Sequence, residues 1–210
     1  MSEQIATRSA LLELREESEA LREGHRFLDE KCLLLAGSML RQWQHWQALL
    51  AASAPLQAAA LRSLDAALGR HGLEALALYP LARDPLLARD PDPVRIDAST
   101  QRLLGLPLRS AALHWQRPQE ADPLLRSPEA AACAEALGRW LALLTEMAAV
   151  GANLERLHHE YRRTARRARA LDGVLIPEST HAIQEIAVSL EESEREDAIA
   201  MRPRGGPACN

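Results

Sequence analysis

Residues 160–202 read EYRRTARRARALDGVLIPESTHAIQEIAVSLEESEREDAIAMR. The stretch opens on a dense arginine band, crosses one proline in an apolar patch and closes on an acidic run. Nearly every residue in it favours helix, and the run is far longer than a typical globular helix. A helix of that length cannot bury itself against one small core. It needs a second long helix or an enclosing partner, and that need organises the reading of the rest of the chain.

The composition agrees. The chain has 210 residues, 47% hydrophobic but only 3% aromatic. Ala, Leu, Glu and Arg at this density indicate long helices and coiled coil. Net charge is −4, so bulk charge points to neither nucleic acid nor a membrane surface. Its distribution says more: residues 13–30 are mostly acidic, 162–169 purely basic and 178–197 acidic again. Cys32, Cys133 and Cys209 form no C-x-x-C pair, which suits a reducing compartment. The N-terminus has no basic-then-apolar leader pattern. The longest uncharged run, 42–61, carries Gln42, Gln44, His45, Gln47 and Gln57 and is too polar to span a bilayer.

From Ser9 a heptad holds. Leu14, Leu21, Leu28, Leu35, Leu49 and Leu56 occupy d positions. Leu11, Ser18, His25, Cys32, Met39, Trp46 and Ser53 occupy a positions. The pattern fades after Pro55, and the GRHG of 69–72 ends the helix. Residues 73–127 hold most of the prolines, which forbid long helix. There 73–79, 94–96 and 103–108 are candidates for extended chain, giving a small insert with a short β-hairpin. Ser127-Pro128-Glu129 starts the second helix, with Ser127 as cap and Pro128 in the first turn. Its seam runs Met147, Leu154, Tyr161, Ala168 and Leu175, with Val150, Leu157, Thr164 and Leu171 between. At Pro177 the register slips by one, to Ile176, Ile183 and Leu190 with Ile186 between, and a kink is expected there.

The expected fold is therefore dominated by α-helix: one elongated domain, a long antiparallel two-helix coiled coil with a small central insert. Residues 1–72 form the first helix, 73–127 the insert, 128–202 the second helix and 203–210 a disordered tail. Each helix would span roughly 90 Å or more at 1.5 Å per residue. Antiparallel pairing sets the acidic stretches 13–30 and 178–197 side by side, an unfavourable match for a free-standing coil. The chain is built to sit inside something else.

The motifs now support a resemblance. Glu160, Thr164, Arg166, Arg167, Ala170, Leu171, Val174, Ile176 and Pro177, then Leu190, Glu191, Glu192, Glu194, Arg195 and Glu196, are in step with the C-terminal pattern of the D subunit of V-type and A-type ATPases. Gly24, His25, Leu28, Lys31 and Leu34, led in by Thr7-Arg8 and Leu11-Leu12, match its N-terminal pattern. Residues 105–108, GLPL, match the middle more loosely. The chain resembles a divergent bacterial member. Arg169 stands where the family has Asn, Ala168 where it has Val, Gly173 replaces an aromatic, and 198–200 replace aromatic and basic residues.

The resemblance implies a non-catalytic central rotor shaft, without cofactor or metal. It would carry torque between the ATP-hydrolysing or ATP-synthesising hexamer and the ion-translocating membrane ring. The implied partners are the catalytic A and regulatory B subunits, the small F subunit of the rotor and the funnel-shaped subunit capping the ring. No nucleic acid and no direct membrane insertion are implied. The implied location is cytoplasmic, peripheral to the inner membrane.

Individual signals each carry two readings, and the arginine band a third, nucleic acid, whose phosphates the acidic flanks would repel. Arg162, Arg163, Arg166, Arg167 and Arg169 are a solvated helix face, or arginines that touch acidic loops of the hexamer, with Arg163, Arg166 and Arg167 the candidates. Trp43, Trp46, Trp115 and Trp140 are local core near the insert, or a docking surface for the small partner. Glu155-x-x-His158 and Glu178-x-x-His181 share the spacing of di-iron bundles, but lie about 34 Å apart on one continuous helix. His158-His159 reads as surface and seam edge, and His25 as a packed seam residue. There is no Gly-Lys-Ser/Thr phosphate loop. The structural rival is a coiled-coil scaffold unrelated to rotary ATPases.

Overall fold

A computed structural model describes residues 7–77, 94–115 and 127–201. In order, the elements are α1 (Arg8–Ala77), β1 (Val94–Leu103), β2 (Leu106–Trp115), α2 (Pro128–Ala170), a π-turn (Leu171–Leu175) and α3 (Ile176–Ala200). This is the expected pair of long helices with a small antiparallel hairpin between them. The proposed tail, Cys209 and most of the insert's prolines lie outside the described residues.

The first heptad is realised in full. Every a and d residue named above on α1 is buried or half-buried. The helix also runs on past Pro55, and Ala60 and Ala67 continue the seam beyond the point where it fades in the sequence. Pro55 removes one bond to the carbonyl of Ala51, which is exposed and can bond water instead. Helical geometry breaks at Gly72, where φ is +74°, a value glycine adopts without steric cost. Residues 73–77 return to helix, so the described part of 73–79 is not extended chain. A proline-free sequence this rich in Leu and Ala prefers helix once past the glycine.

The structure divides into two compact units: a terminal unit of Met1–Leu34 with Tyr161–Asn210, and a middle unit of Leu35–Glu160. In the middle unit α1 and α2 run antiparallel. His45 meets Glu146 at 2.9 Å, Trp140 Nε1 donates to Ser53 Oγ at 3.3 Å, and Arg70 pairs with Glu129. Leu49, Met147 and Val150 form a core with Trp46, Leu143, Leu144 and Leu154 around it. Leu35 and Leu157 are 0% exposed, each burial stabilising by about 1.5–3 kcal/mol. Ser127 caps α2 as expected, accepting the Ala130 N–H at 3.1 Å.

The hairpin is longer than the sequence indicates: ten residues a side, paired from Val94↔Trp115 to Leu103↔Leu106. Leu104 (φ 50°) and Gly105 (φ 82°) form its two-residue turn. Two positive φ values match the right-handed twist of the flanking strands. Leu106 and Leu108 are half-buried near the turn, then Ala111, Leu113 and Trp115 further along. The covered face therefore changes midway, which erases the simple alternation that would have marked β2.

In the terminal unit the partners are again antiparallel: Arg8 pairs with Glu194, and Gly24 lies against Leu171. The seam slip takes physical form in the π-turn. Ile176 N–H donates to the Leu171 carbonyl five residues back, so one extra residue is taken into the turn. Buried positions step by seven from Val150 through Leu157 to Thr164, then resume at Ser179 and Ile186, one later than the heptad requires. Leu175 is the one seam residue this displaces. It is 43% exposed, and Ile176 takes its half-buried place. Pro177 has no N–H for the carbonyl of Gly173, so the α ladder lacks a rung where the wider turn falls.

Candidate functional site

The arginine band fills the last turns of α2, directly before the π-turn. Thr164 and Ala168 face the seam, buried, and Arg162, Arg163, Arg166, Arg167 and Arg169 occupy the outward arc, all exposed. None of the five has an ion-pair partner among the described residues. Like charges spaced i,i+4, as in Arg162/Arg166 and Arg163/Arg167, each cost about 0.2–0.5 kcal/mol on a helix. Among the described residues this is an uncompensated cationic face, in the form best suited to bidentate carboxylate pairing.

The motif positions divide between seam and surface. A β-carbon added to Gly24 would lie 3.9 Å from Leu171 Cδ1, so the two are brought together. Thr164, Leu171 and Ile176 face inward, His25 is half-buried 3.7 Å from Asp29, and Lys31 and Glu160 are half-buried. Ala170 and Pro177 are exposed. Burial and the nearby Asp29 carboxylate push the Cys32 thiol up, keeping it protonated.

Three of the four tryptophans are packing residues of the middle unit. Trp46 lies over Gly151, where a β-carbon would come within 3.1 Å of the ring, and Trp115 over Gly138, at 3.0 Å. Trp140 bonds Ser53. Trp43 alone is exposed, at 51%, on an α1 face that also turns out Leu40, Leu50 and Leu61. Residues 42–61 of that helix hold no Asp, Glu, Lys or Arg, so these apolar side chains stand among exposed Gln44, Gln47 and Gln57.

Glu155 and His158 belong to the middle unit, Glu178 and His181 to the terminal unit, and all four are exposed. His181 faces Glu185 at 3.4 Å. Among the described residues no three His, Cys, Asp or Glu side chains are grouped as a metal site. Glu155 lines a shallow open groove with Leu106, Arg156, His159 and Glu160. No described helix is long and apolar enough to cross a membrane.

One contact has no counterpart in the sequence pattern. Buried Asn153 of α2 accepts the Arg109 N–H at 2.8 Å and donates to the Arg109 carbonyl at 2.7 Å. Its amide therefore mimics a neighbouring strand on the free edge of β2. Arg156 Nη1 donates to the same Oδ1 at 3.2 Å. A lone helical Asn gives no pattern to find. The interior glycines at 138 and 151 were the available signal, since glycine inside a helix marks close approach.

The family model for the D subunit of ATP synthase matches residues 10–202, which takes in both long helices and the hairpin. The chain belongs to this ATP synthase D-subunit family. The V-type ATP synthase D subunit of Anaeromyxobacter sp. (strain K) is 30% identical over 96% of this chain and 95% of its own length. That of Anaeromyxobacter sp. (strain Fw109-5) is 31% identical over 96% and 93%. Membership of the D-subunit family makes the chain one component of a larger V-type ATP synthase assembly.

Proposed function

We propose that this chain is the non-catalytic central rotor shaft of a V-type ATP synthase, carrying torque between the nucleotide-processing hexamer and the ion-translocating membrane ring. The observation that carries the reading is the outward arginine band, without an ion-pair partner among the described residues, on the paired helices of a D-subunit family member. Paired helices of this length are stiff in the way a shaft requires. A single asymmetric helix pair also offers a different face to each surrounding site. The partners are the A and B subunits of the hexamer, the small F subunit and the funnel-shaped ring cap. The uncharged α1 face with Leu40, Trp43 and Leu50 is the surface offered to the small partner. The location that follows is cytoplasmic, peripheral to the inner membrane.

Arg163, Arg166 and Arg167 are assigned to the hexamer, meeting acidic loops as the shaft turns. Replacing all three by Ala leaves the helix intact, because all three are exposed, and lowers coupled ATP turnover in the assembled complex. Unchanged turnover would overturn the assignment. Purification through a tag on this chain tests the reading as a whole. A rotor shaft brings down two large subunits and a small one, whereas a chain that emerges alone as a self-paired dimer is a scaffold.

A further inference from the structure

The π-turn coincides with a gap in the packing of the terminal unit. On the α2–α3 side no residue between Ala168 and Ser179 is buried. On α1 none is fully buried after Ser18 up to the end of that unit at Leu34, where Leu21, His25, Leu28 and Cys32 are half-buried. Gly24 in one lies against Leu171 in the other, so the antiparallel gaps overlap over about 19–26, whereas 27–34 lie level with buried Thr164 and Ala168. Large apolar side chains within them point outward instead: Phe27, Leu33 and Leu34 on α1, and Val174 and Leu175 in the π-turn. Gly173 has no heavy atom within 4 Å of the place a β-carbon would take. Ser18 and Ser179, which bound the gap, have buried hydroxyls with no hydrogen-bond partner.

We propose that residues 19–26 and 169–178 form a soft joint, a stretch in which the two helices twist and slide past each other more readily than elsewhere. Helix pairs resist such motion through interdigitated buried side chains, each making tens of close contacts. Here that resistance is reduced on both helices at the same level, because the seam is held by half-buried Leu21, Gly24, His25, Leu171 and Ile176 with no fully buried side chain among them. The π-turn adds a backbone source of give. Its extra residue can pass along the ladder by exchanging a five-residue bond for a four-residue one, and Gly173 eases the dihedral changes. Pro177 bounds this from the C-terminal side, because it has no N–H to exchange. Unpartnered seam hydroxyls at Ser18 and Ser179 hold no fixed register, so that end of the joint can slip as well.

Hydrogen–deuterium exchange on the full chain tests this without any partner subunit, and so independently of the rotor reading. Peptides covering 19–26 and 169–178 are expected to exchange about thirtyfold faster than those covering 144–157, where Met147, Val150 and Leu157 are buried. Deleting Gly173 together with Pro177→Ala removes the extra residue and restores the missing rung, making the heptad continuous. Exchange in both gap segments is expected to slow about tenfold or more, with 144–157 unchanged. Equal exchange in the natural chain, or no slowing in the variant, overturns the proposal. Should the deletion lose helical signal, Gly24→Ala with Gly173→Ala decides, because both sites have room for the methyl. Slowing of about threefold or more in the two segments supports the joint, and none overturns it.

Discussion

Replacing Asn153 by Ala should release the hairpin from α2 while leaving the helix pair folded. The side chain makes two bonds to the Arg109 backbone and takes a third from Arg156. The two backbone bonds are worth about 1 kcal/mol each net, and truncation leaves no substitute close by. The β1 side of the hairpin is almost wholly exposed, and a two-stranded hairpin is marginal by itself. The other firm hold is Trp115 on Gly138. A loss of about 2 kcal/mol therefore appears locally, as roughly a thirtyfold faster exchange of the Arg109 amide, with peptides over 144–150 unchanged. Asn153→Asp separates the two bonds: the carboxylate still accepts the N–H but repels the Arg109 carbonyl, and its exchange should resemble that of the Ala variant. Arg109 exchange within about threefold of the natural chain in both variants would refute the clip.

Other expectations follow from packing and charge. Gly138→Ala puts a methyl 3.0 Å from the Trp115 ring and should destabilise by about 1–3 kcal/mol in thermal or denaturant unfolding, whereas Gly69→Ala, with nothing within 4 Å, should stabilise by up to about 1 kcal/mol. Leu157→Ala should cost about 2–5 kcal/mol, while exposed Leu33→Ala should stay within about 0.5 kcal/mol. The Glu129 carboxyl is held below the usual range, chiefly by a backbone N–H and then by Arg70 and Ser127. Because its folded pKa is depressed, its contribution is full above the ordinary Glu range, about 4.3, and is lost as pH falls through the lower folded value. Glu129→Gln should flatten that part of an acid-unfolding profile.

The helix pair was legible because leucine at every seventh position but Gln42, from Leu14 through Leu56, leaves a pattern that packing then obeys. The π-turn was legible only as an unexplained slip, since the step from Leu175 to Ile176 announces an extra residue but not the turn that holds it. The arginine band was fully readable as a cluster, and the structure adds that it has no partner within the chain's described residues. The hairpin was nearly hidden: β1 buries almost nothing, and β2 changes its covered face between Leu108 and Ala111. Asn153 was invisible, because an amide bonding to a distant backbone imposes no spacing on the sequence. The tryptophans stood out by composition, yet only the glycines beneath Trp46 and Trp115 tell that they pack inward.

All four tryptophans fall in the middle unit, and the terminal unit has none. The protein's intrinsic fluorescence is therefore a one-sided gauge. Two of its indoles sit on glycine backbone, so emission tracks the core around Leu49 and the seat of the hairpin. Circular dichroism, by contrast, sums the helices of both units. Disagreement between the two signals during heating would mark the terminal unit coming apart while its neighbour holds. A single added tryptophan at Phe27 would give that silent half a signal of its own.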